Sequence, residues 1–374
     1  MINSERLVNL FMEMVSIDSV SFEEADYKEY LYTHLQSRGL VVKEDGAASV
    51  TGSNSGNLIA FLPGRKLMSP VVLLAVHMDT VEPGHGIKAV LQDGRLTAAG
   101  NTILGADDKA GVAVVLEVLE LLLTSDVTHP PLELVFTVGE EQGLLGAKAL
   151  EQSRLKAEFG YVLDSDGQAG EIVYKGPSQN QIEWTVTGRA AHAGMCPEEG
   201  INAIQAAAKA IASLQLGRID EETTCNIGII TGGTARNIVP ETCYVKGESR
   251  SLDEDKLQKL TKQMVEDFQT TVEAYGASCE AQVQHLYPAF ELPADAPVIE
   301  LAARAARELG LTPRLVKSGG GCDANIFNGR GIPVANLGVG MQHPHTTKET
   351  ILVSDLEEVT RWLYQIIISA GATS

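Results

Sequence analysis

Five short segments place histidines and carboxylates directly after, or close behind, apolar stretches of the chain. They are AVHMDT (75–80), LGADDKAG (104–111), TVGEEQG (137–143), VLDSDG (162–167) and HPHTTKE (343–349). Imidazole nitrogens and carboxylate oxygens are ligands that suit zinc, manganese or cobalt. Three or more carboxylates with two histidines are enough for a two-metal site, whose ions lie ~3.5–4 Å apart and share a bridging carboxylate. The spacing therefore predicts a metal centre with room for two ions.

The first two segments each leave two interpretations. His77 and Asp79 are two residues apart on extended backbone, so their side chains point to the same side. Asp79 could share the metal shell or orient the imidazole, or the pair could be purely structural. Asp107 and Asp108 lie between a glycine turn and a helix start, where one carboxylate could cap the helix while the other faces a cleft.

The remaining segments supply further carboxylates and the last imidazole. Glu140 and Glu141 follow an apolar run and could divide the roles of general base and metal ligand, or form an exposed loop pair. Asp164 or Asp166 could be a ligand, and Asp164 is favoured because it directly follows the apolar run GYVL. The final imidazole has two candidates, His343 and His345.

Alternating strands and helices are expected to position these residues. Compact apolar runs at 57–63, 71–76, 132–138 and 160–163 predict buried strands, and residues 110–123 predict a buried helix. This alternation indicates an α/β domain whose sheet is covered on both faces. Open α/β sheets bind ligands at the carboxyl ends of their strands, where the polar segments lie.

The middle of the chain has a different predicted order of strands and helices. After Gly176–Pro177 the pattern reads β-α-β-β-α-β, which is typical of a ferredoxin-like α+β unit. We therefore expect a discontinuous α/β catalytic domain (1–177 and 291–374) with an inserted domain (178–290). A cleft between two such domains is a common place for a ligand site.

Charge and cysteine content exclude several classes of function. The formal net charge of −20 disfavours binding to nucleic acids and to anionic membrane surfaces. No run of 18 apolar residues occurs, and the N-terminal residues read as an amphipathic helix rather than a signal peptide. Five widely spaced cysteines without a CxxC motif argue against a disulfide framework. We expect a cytoplasmic protein.

Taken in order, the five segments resemble the motifs of the M20 family of zinc peptidases. The resemblance spans the chain and includes GRAAHAG (188–194) and SGGGCDANIF (318–327); the GADDKAG form is most similar to the aminotripeptidase members. It implies an α/β catalytic domain, an inserted lid and dimerisation domain, and a homodimer formed through that lid. It also implies two Zn²⁺ per subunit, for which Mn²⁺ or Co²⁺ could substitute.

The resemblance also implies a role for each matching residue. His77 and Asp164 correspond to ligands of one metal, Glu141 to a ligand of the second, and Asp107 to the bridging carboxylate. His345 corresponds to the final histidine ligand, because Glu349 completes the HxxxE pattern of the family. Asp79 corresponds to the aspartate that orients His77, and Glu140 to the general base. In the lid, His192 corresponds to a histidine that holds the substrate carbonyl, and Asn237 and Arg250 to substrate contacts.

The expected function is hydrolysis of short peptides, as an aminopeptidase of the tripeptidase type, through a metal-activated water with Glu140 as general base. The alternative is a carboxypeptidase, or a deacylase of N-acyl amino acids, with the same architecture. A remote alternative is a non-catalytic binding protein. It is disfavoured because every expected ligand position is filled.

Overall fold

The computed structural model describes residues 2–65 and 69–372 and divides them into two compact units. The first unit comprises residues 1–175, 291–318 and 322–374, and the second comprises 176–290 and 319–321. The predicted inserted domain (178–290) starts two residues later and lacks 319–321. This glycine stretch groups with the second unit because Gly321 lies against the ring of Tyr287, where a Cβ would be 2.3 Å from the ring.

The first unit contains most of the helices. Their bounds are α1 Ser4–Val15, α2 Ala25–Gln36, α3 Ala48–Thr51, α4 Ala106–Thr124, α5 Leu145–Ala149, α8 Pro297–Glu308, α9 Asp323–Gly329 and α10 Val353–Ala372, with α6 Ala203–Ser213 and α7 Glu254–Ala274 in the second unit. No helix in residues 2–65 and 69–372 combines the length and apolar character needed to cross a membrane.

The strands of the first unit form a large mixed sheet and a small antiparallel one. The bounds are β1 Val41–Glu44, β2 Leu58–Leu62, β3 Val72–His77, β4 Ala89–Gln92, β5 Arg95–Ala98, β6 Leu132–Thr137, β7 Phe159–Ser165 and β8 Glu171–Gly176, and later in the chain β14 Phe290–Glu291, β15 Arg314–Lys317, β16 Val334–Gly338 and β17 Thr350–Leu352. The large sheet has the order β1-β2-β6-β3-β7-β16-β8-β14, with β15 also paired to β8. The small sheet has the order β17-β5-β4.

The centre of the large sheet is covered on both faces, as predicted. Every residue of β3, β6 and β16 is buried, although successive side chains of a strand point to opposite faces. The buried helix α4 packs on β3 and β7 and against α1 and α10, while α9 packs on β7 and β16 and against α5. The continuous apolar runs of these strands account for this arrangement, because both faces must exclude water.

The second unit has the predicted β-α-β-β-α-β order with one addition, the two-residue strand β10 between α6 and β11. Its antiparallel sheet has the order β10-β11-β12-β9-β13, formed by β9 Ser178–Thr187, β10 Gly217–Arg218, β11 Thr223–Gly232, β12 Thr242–Ser251 and β13 Ser278–Tyr287. Helices α6 and α7 pack on this sheet around a core that contains Trp184 and Phe268, whose rings stack at 4.7 Å. The alternating burial of β9 and β12 agrees with a sheet that buries one face against the helices.

Candidate metal centre

Three of the five polar segments meet because β6, β3 and β7 are parallel neighbours. His77 is the last residue of β3 and pairs with Thr137, the last residue of β6. Glu140 and Glu141 follow β6, and Asp164 lies near the end of β7. The carboxyl ends of these strands therefore lie at one edge of the sheet, which confirms the sequence argument for their proximity.

Asp107 has the geometry of a carboxylate shared by two ligand groups. Its Oδ1 lies 3.0 Å from Nε2 of His77, and its Oδ2 lies 3.1 Å from Nε2 of His345. Ligand atoms lie within 4.8 Å of one another in each of three groups, which are His77, Asp107 and Asp164; Asp107, Glu141 and His345; and His77, Glu140 and Glu141. The first two groups have Asp107 in common, as a bridged pair of metal ions requires.

The carboxylates of this centre are buried close to one another. Burial and mutual repulsion disfavour their charged forms and raise the pKa values of two of them, Asp164 and Glu140. Burial, together with the charges of Asp107 and Glu141, raises the pKa of Asp164 to about 7, although His77 at 3.8 Å acts in the opposite direction. Burial, and then the charge of Asp164, raises the pKa of Glu140 well above its ordinary value. Like charges in a desolvated site destabilise each other unless a cation lies between them.

Hydrogen bonds to histidine reverse this effect at Asp107. Burial alone would raise its pKa, but the bonds to His345 and His77 outweigh burial, so the pKa of Asp107 lies well below its ordinary value. The nearby carboxylates of Asp107 and Glu141 raise the pKa of His345 to about 10. A positive charge at this position, on the imidazole or on a bound cation, therefore stabilises these carboxylates.

The donor set fits divalent cations. Oε1 of Glu141 is buried and, within the described part of the chain, makes no hydrogen bond of normal geometry, although Nε2 of His345 lies 2.9 Å away. These two atoms are close together but not oriented for a hydrogen bond, which is the arrangement expected of two ligands of one metal ion. Three carboxylates and two imidazoles, divided between two groups, are the ligand types of zinc, manganese and cobalt.

Asp79 lies behind the candidate ligands and bonds to His77, to the Glu140–Glu141 turn and to Ser21. Nδ1 of His77 lies 2.9 Å from the backbone oxygen of Asp79 and 3.5 Å from its Oδ1. The carboxylate accepts the backbone N–H groups of Glu140 at 2.9 Å and of Glu141 at 3.2 Å, and also the hydroxyl of Ser21 at 2.7 Å. Asp79 therefore orients His77 mainly through its backbone and holds the Glu140–Glu141 turn through its side chain.

The geometry also separates the paired candidates. Asp108 accepts the backbone N–H groups of His77 and Gly111 at 3.2 Å each, so it holds backbone at the start of α4 while Asp107 faces the ligands. Asp166 is exposed, whereas Asp164 reaches to 3.8 Å of His77. Within the ranges that the structure describes, neither Asp166 nor His343 joins a ligand group.

The predicted substrate residues lie in the second unit. His192 is exposed and accepts the backbone N–H groups of Gly194 and Met195 at Nδ1, which places the proton of the neutral ring on Nε2. Asn237 is exposed on the loop between β11 and β12. Arg250 donates from Nε and Nη2 to the carboxylate of Glu248 at 3.0 and 3.1 Å. Their contact with substrate stays a prediction.

Sequence reasoning did not find two buried acids beside the centre. Asp323, the first residue of α9, accepts the hydroxyl of Thr137 at 2.6 Å, and burial raises the pKa of Asp323 to about 6. Glu349, noted only as the end of the HxxxE pattern, is 2% exposed and accepts the backbone N–H groups of Leu104, Gly105 and Asp107 at 2.7–2.9 Å. It thus holds the loop that carries Asp107.

Replacing Glu349 by alanine is expected to weaken metal binding by about 10–100-fold, because the loop that presents Asp107 loses the acceptor of three backbone N–H groups. Metal titration by isothermal calorimetry measures this loss. The control is Lys348→Ala, which changes an exposed neighbour and should leave the affinity unchanged. Equal metal affinity of Glu349→Ala and the native chain would contradict the role of Glu349.

Comparison with known proteins assigns the chain to a family. Residues 73–369 match the peptidase family M20/M25/M40. The chain belongs to the M20 family of peptidases. The resemblance expected from the five segments is therefore confirmed, and the chain is a hydrolase of the metallopeptidase type.

Several M20 relatives resemble the chain over nearly its full length. The crystal structure of aminopeptidase PepT from Bacillus cereus ATCC 10987 is 45% identical, with a TM-score of 0.87 and 99% of each chain covered. That of a tripeptidase from Staphylococcus aureus is 39% identical, with a TM-score of 0.93 and 100% of each chain covered. Peptidase T of Clostridium novyi is 25% identical, over 97% of this chain and 98% of its own.

Proposed function

We propose that this chain is an aminopeptidase that cleaves short peptides, with tripeptides as the main substrate class, at a centre of two divalent metal ions. The observation that carries the proposal is the shared carboxylate of Asp107, which lies between His77 on one side and His345 on the other. The similarity to an aminopeptidase and a tripeptidase at 45% and 39% identity supports the substrate class.

Five residues would hold the two ions. We assign His77 and Asp164 to one ion, Glu141 and His345 to the other, and Asp107 to both, as the two ligand groups suggest. Zinc is the proposed metal, and manganese or cobalt would suit the same donors. When bound, such ions polarise a peptide carbonyl and lower the pKa of a coordinated water.

Glu140 acts as the general base in this proposal. Its carboxylate accepts a proton from the attacking water and then donates that proton to the amine of the leaving product, so the group returns to its starting state. A carboxylate oxygen of Glu140 lies within 4.8 Å of ligand atoms of His77 and Glu141, so the proposed base would stand beside the ions. Asp79 keeps the backbone of Glu140 and Glu141 in place during both transfers.

The substrate-binding roles of His192, Asn237 and Arg250 rest on the family resemblance. The tautomer of His192, with its proton on Nε2, suits donation to a carbonyl oxygen on which negative charge develops. A homodimer formed through the second unit and a cytoplasmic location stay predictions as well.

A panel of three peptides tests the proposed specificity. The chain should hydrolyse trialanine to alanine and dialanine, and N-acetylation of trialanine should slow hydrolysis by about 10–100-fold, because a charged hydrogen bond to the free amine is worth about 1.5–3 kcal/mol. Amidation of the C-terminus should matter less than N-acetylation. Faster cleavage of the acetylated peptide would favour the deacylase or carboxypeptidase alternative and overturn the proposal.

A further inference from the structure

Four consecutive backbone N–H groups after β6, those of residues 138–141, donate to side chains from distant parts of the first unit. This stretch contains Glu140 and Glu141. The acceptors are Asn57 Oδ1 for Val138 at 3.1 Å, Glu24 Oε1 for Gly139 at 3.0 Å, Asp79 Oδ1 for Glu140 at 2.9 Å and Asp79 Oδ2 for Glu141 at 3.2 Å. The direction of the Glu140 side chain is thus set by these side-chain acceptors together with the backbone N–H groups of residues 143–146, which donate to the carbonyls of residues 138–140.

Neither the sequence nor the family assigns a role to Glu24 or to Asn57, and of these two Glu24 bonds to Gly139, the residue directly before Glu140. Its side chain is fully buried. Oε1 accepts the N–H of Gly139, and Oε2 accepts the hydroxyl of Ser53 at 2.5 Å. Both carboxylate oxygens are therefore engaged, so the group cannot turn away from Gly139 without losing a second bond.

Gly139 is the residue through which Glu24 would act on Glu140. Its φ of 58° lies in the left-handed region, where the chain turns sharply out of β6. The peptide planes on either side of this turn decide where the next side chain points. A misplacement of about 1 Å at a catalytic group can cost ~10²-fold in rate, so the turn needs a fixed geometry.

The segment that carries Glu24 is itself fixed beside Asp79. Backbone hydrogen bonds join Thr80 to Ser19 at 2.9 Å and Ser21 to Thr80 at 3.1 Å. The hydroxyl of Ser21 also donates to Asp79 at 2.7 Å. Residues 19–24 therefore support Asp79 and Gly139 together, although they precede the family match at 73–369.

We propose that Glu24 is a positioning residue for Glu140: it fixes the peptide plane of Gly139 and thereby the placement of the proton-accepting carboxylate. This inference rests on the proposed role of Glu140. It adds that the N-terminal segment, residues 19–24, helps to hold Glu140 in position. Glu24 contacts neither the ligands of the metal centre nor a reacting atom in this arrangement.

Three variants test the proposal. Glu24→Ala should lower kcat by about 10–100-fold, with KM within about twofold and two metal ions retained. Glu24→Gln should restore most of kcat, because its amide oxygen still accepts the N–H of Gly139 and its NH₂ group can donate to Ser53. Glu24→Asp withdraws the carboxylate by one methylene group and should lower kcat even if the alanine variant does not fold.

Glu133 provides a matched control. It lies on β6, is buried like Glu24 (3% exposed), and accepts the backbone N–H groups of Lys156 and Ala157 at 2.7 and 2.8 Å. Glu133→Ala removes the same kind of bond at a place remote from Glu140, so it should lower Tm and leave kcat near that of the native chain. A loss of kcat in Glu133→Ala as large as in Glu24→Ala would overturn the proposal, and so would native kcat in both Glu24→Ala and Glu24→Asp.

Hydrogen exchange gives a readout that does not need activity. The amides of residues 139–141 should exchange faster in Glu24→Ala than in the native chain and Glu24→Gln, while the amides of the preceding strand β6 keep their protection. Unchanged protection of these amides in Glu24→Ala would overturn the positioning role. If the native chain hydrolyses no peptide, the proposed function fails, and the exchange result alone then decides what Glu24 does.

Discussion

Glu140→Ala is expected to lower kcat for tripeptide hydrolysis by about 10²–10⁴-fold while both metal ions stay bound. The carboxylate of Glu140 belongs to neither of the two ligand groups that share Asp107. Its loss should therefore remove the proton acceptor without opening a ligand position. Steady-state kinetics with metal analysis of the same sample checks both parts of the prediction.

Glu141→Ala is the matched control for Glu140. The two glutamates are adjacent, yet only Glu141 lies in the ligand group with Asp107 and His345. Glu141→Ala should lose one ion per chain, whereas Glu140→Ala should lose none. Glu140 also lies within ligand distance of His77 and Glu141, so loss of metal in Glu140→Ala would show that it is a ligand instead. Near-native turnover of Glu140→Ala would contradict its role as general base.

The second large effect is expected at Asp107. Asp107→Ala should bind metal poorly at both positions, because this one carboxylate belongs to both ligand groups. Turnover should fall by ~10³-fold or more, since the ions that would polarise the peptide carbonyl are no longer held. His77 and His345 would also lose the partner that each now contacts at about 3 Å. Metal content after dialysis, measured by mass spectrometry, checks this prediction.

Asp108→Asn separates the role of Asp107 from that of its neighbour. Asp108 accepts two backbone N–H groups, and asparagine can accept through one oxygen only. This variant should unfold about 1–3 kcal/mol more easily in urea but keep both metal ions. Retention of two ions by Asp107→Ala, or loss of both by Asp108→Asn, would contradict the assignment of the bridge.

Much of the site follows from local sequence because it depends on strand ends. The runs that become β3, β6 and β7 are continuous and apolar, and parallel strands bring their carboxyl ends together. The proximity of His77, Glu140 and Asp164 was therefore predictable. The preference for Asp164 over Asp166 rests on its place directly after the apolar run; the structure shows Asp166 exposed, and the ligand role of Asp164 stays a prediction.

The supporting residues could not be predicted in this way. Glu24 stands in SFEEAD, which reads only as an acidic helix start, and its bond to Gly139 joins residues 115 positions apart. Glu349 bonds to a loop about 240 residues earlier in the chain. Such contacts depend on how distant elements pack, which residue spacing does not encode. The strands β4, β5 and β17 do not follow from the sequence, because each has only three or four residues, too few for a recognisable apolar run or alternation.

Metal removal and return, followed by hydrolysis, tests the central claim most directly. The apo chain, prepared with a chelator, would be titrated with Zn²⁺ while bound metal and trialanine cleavage are measured in the same samples. The account predicts two ions per chain, activity that appears as they bind, and a higher Tm for the loaded chain, since the cations offset the buried carboxylates. Full peptide cleavage by the metal-free chain, or two bound ions without any cleavage, would contradict it.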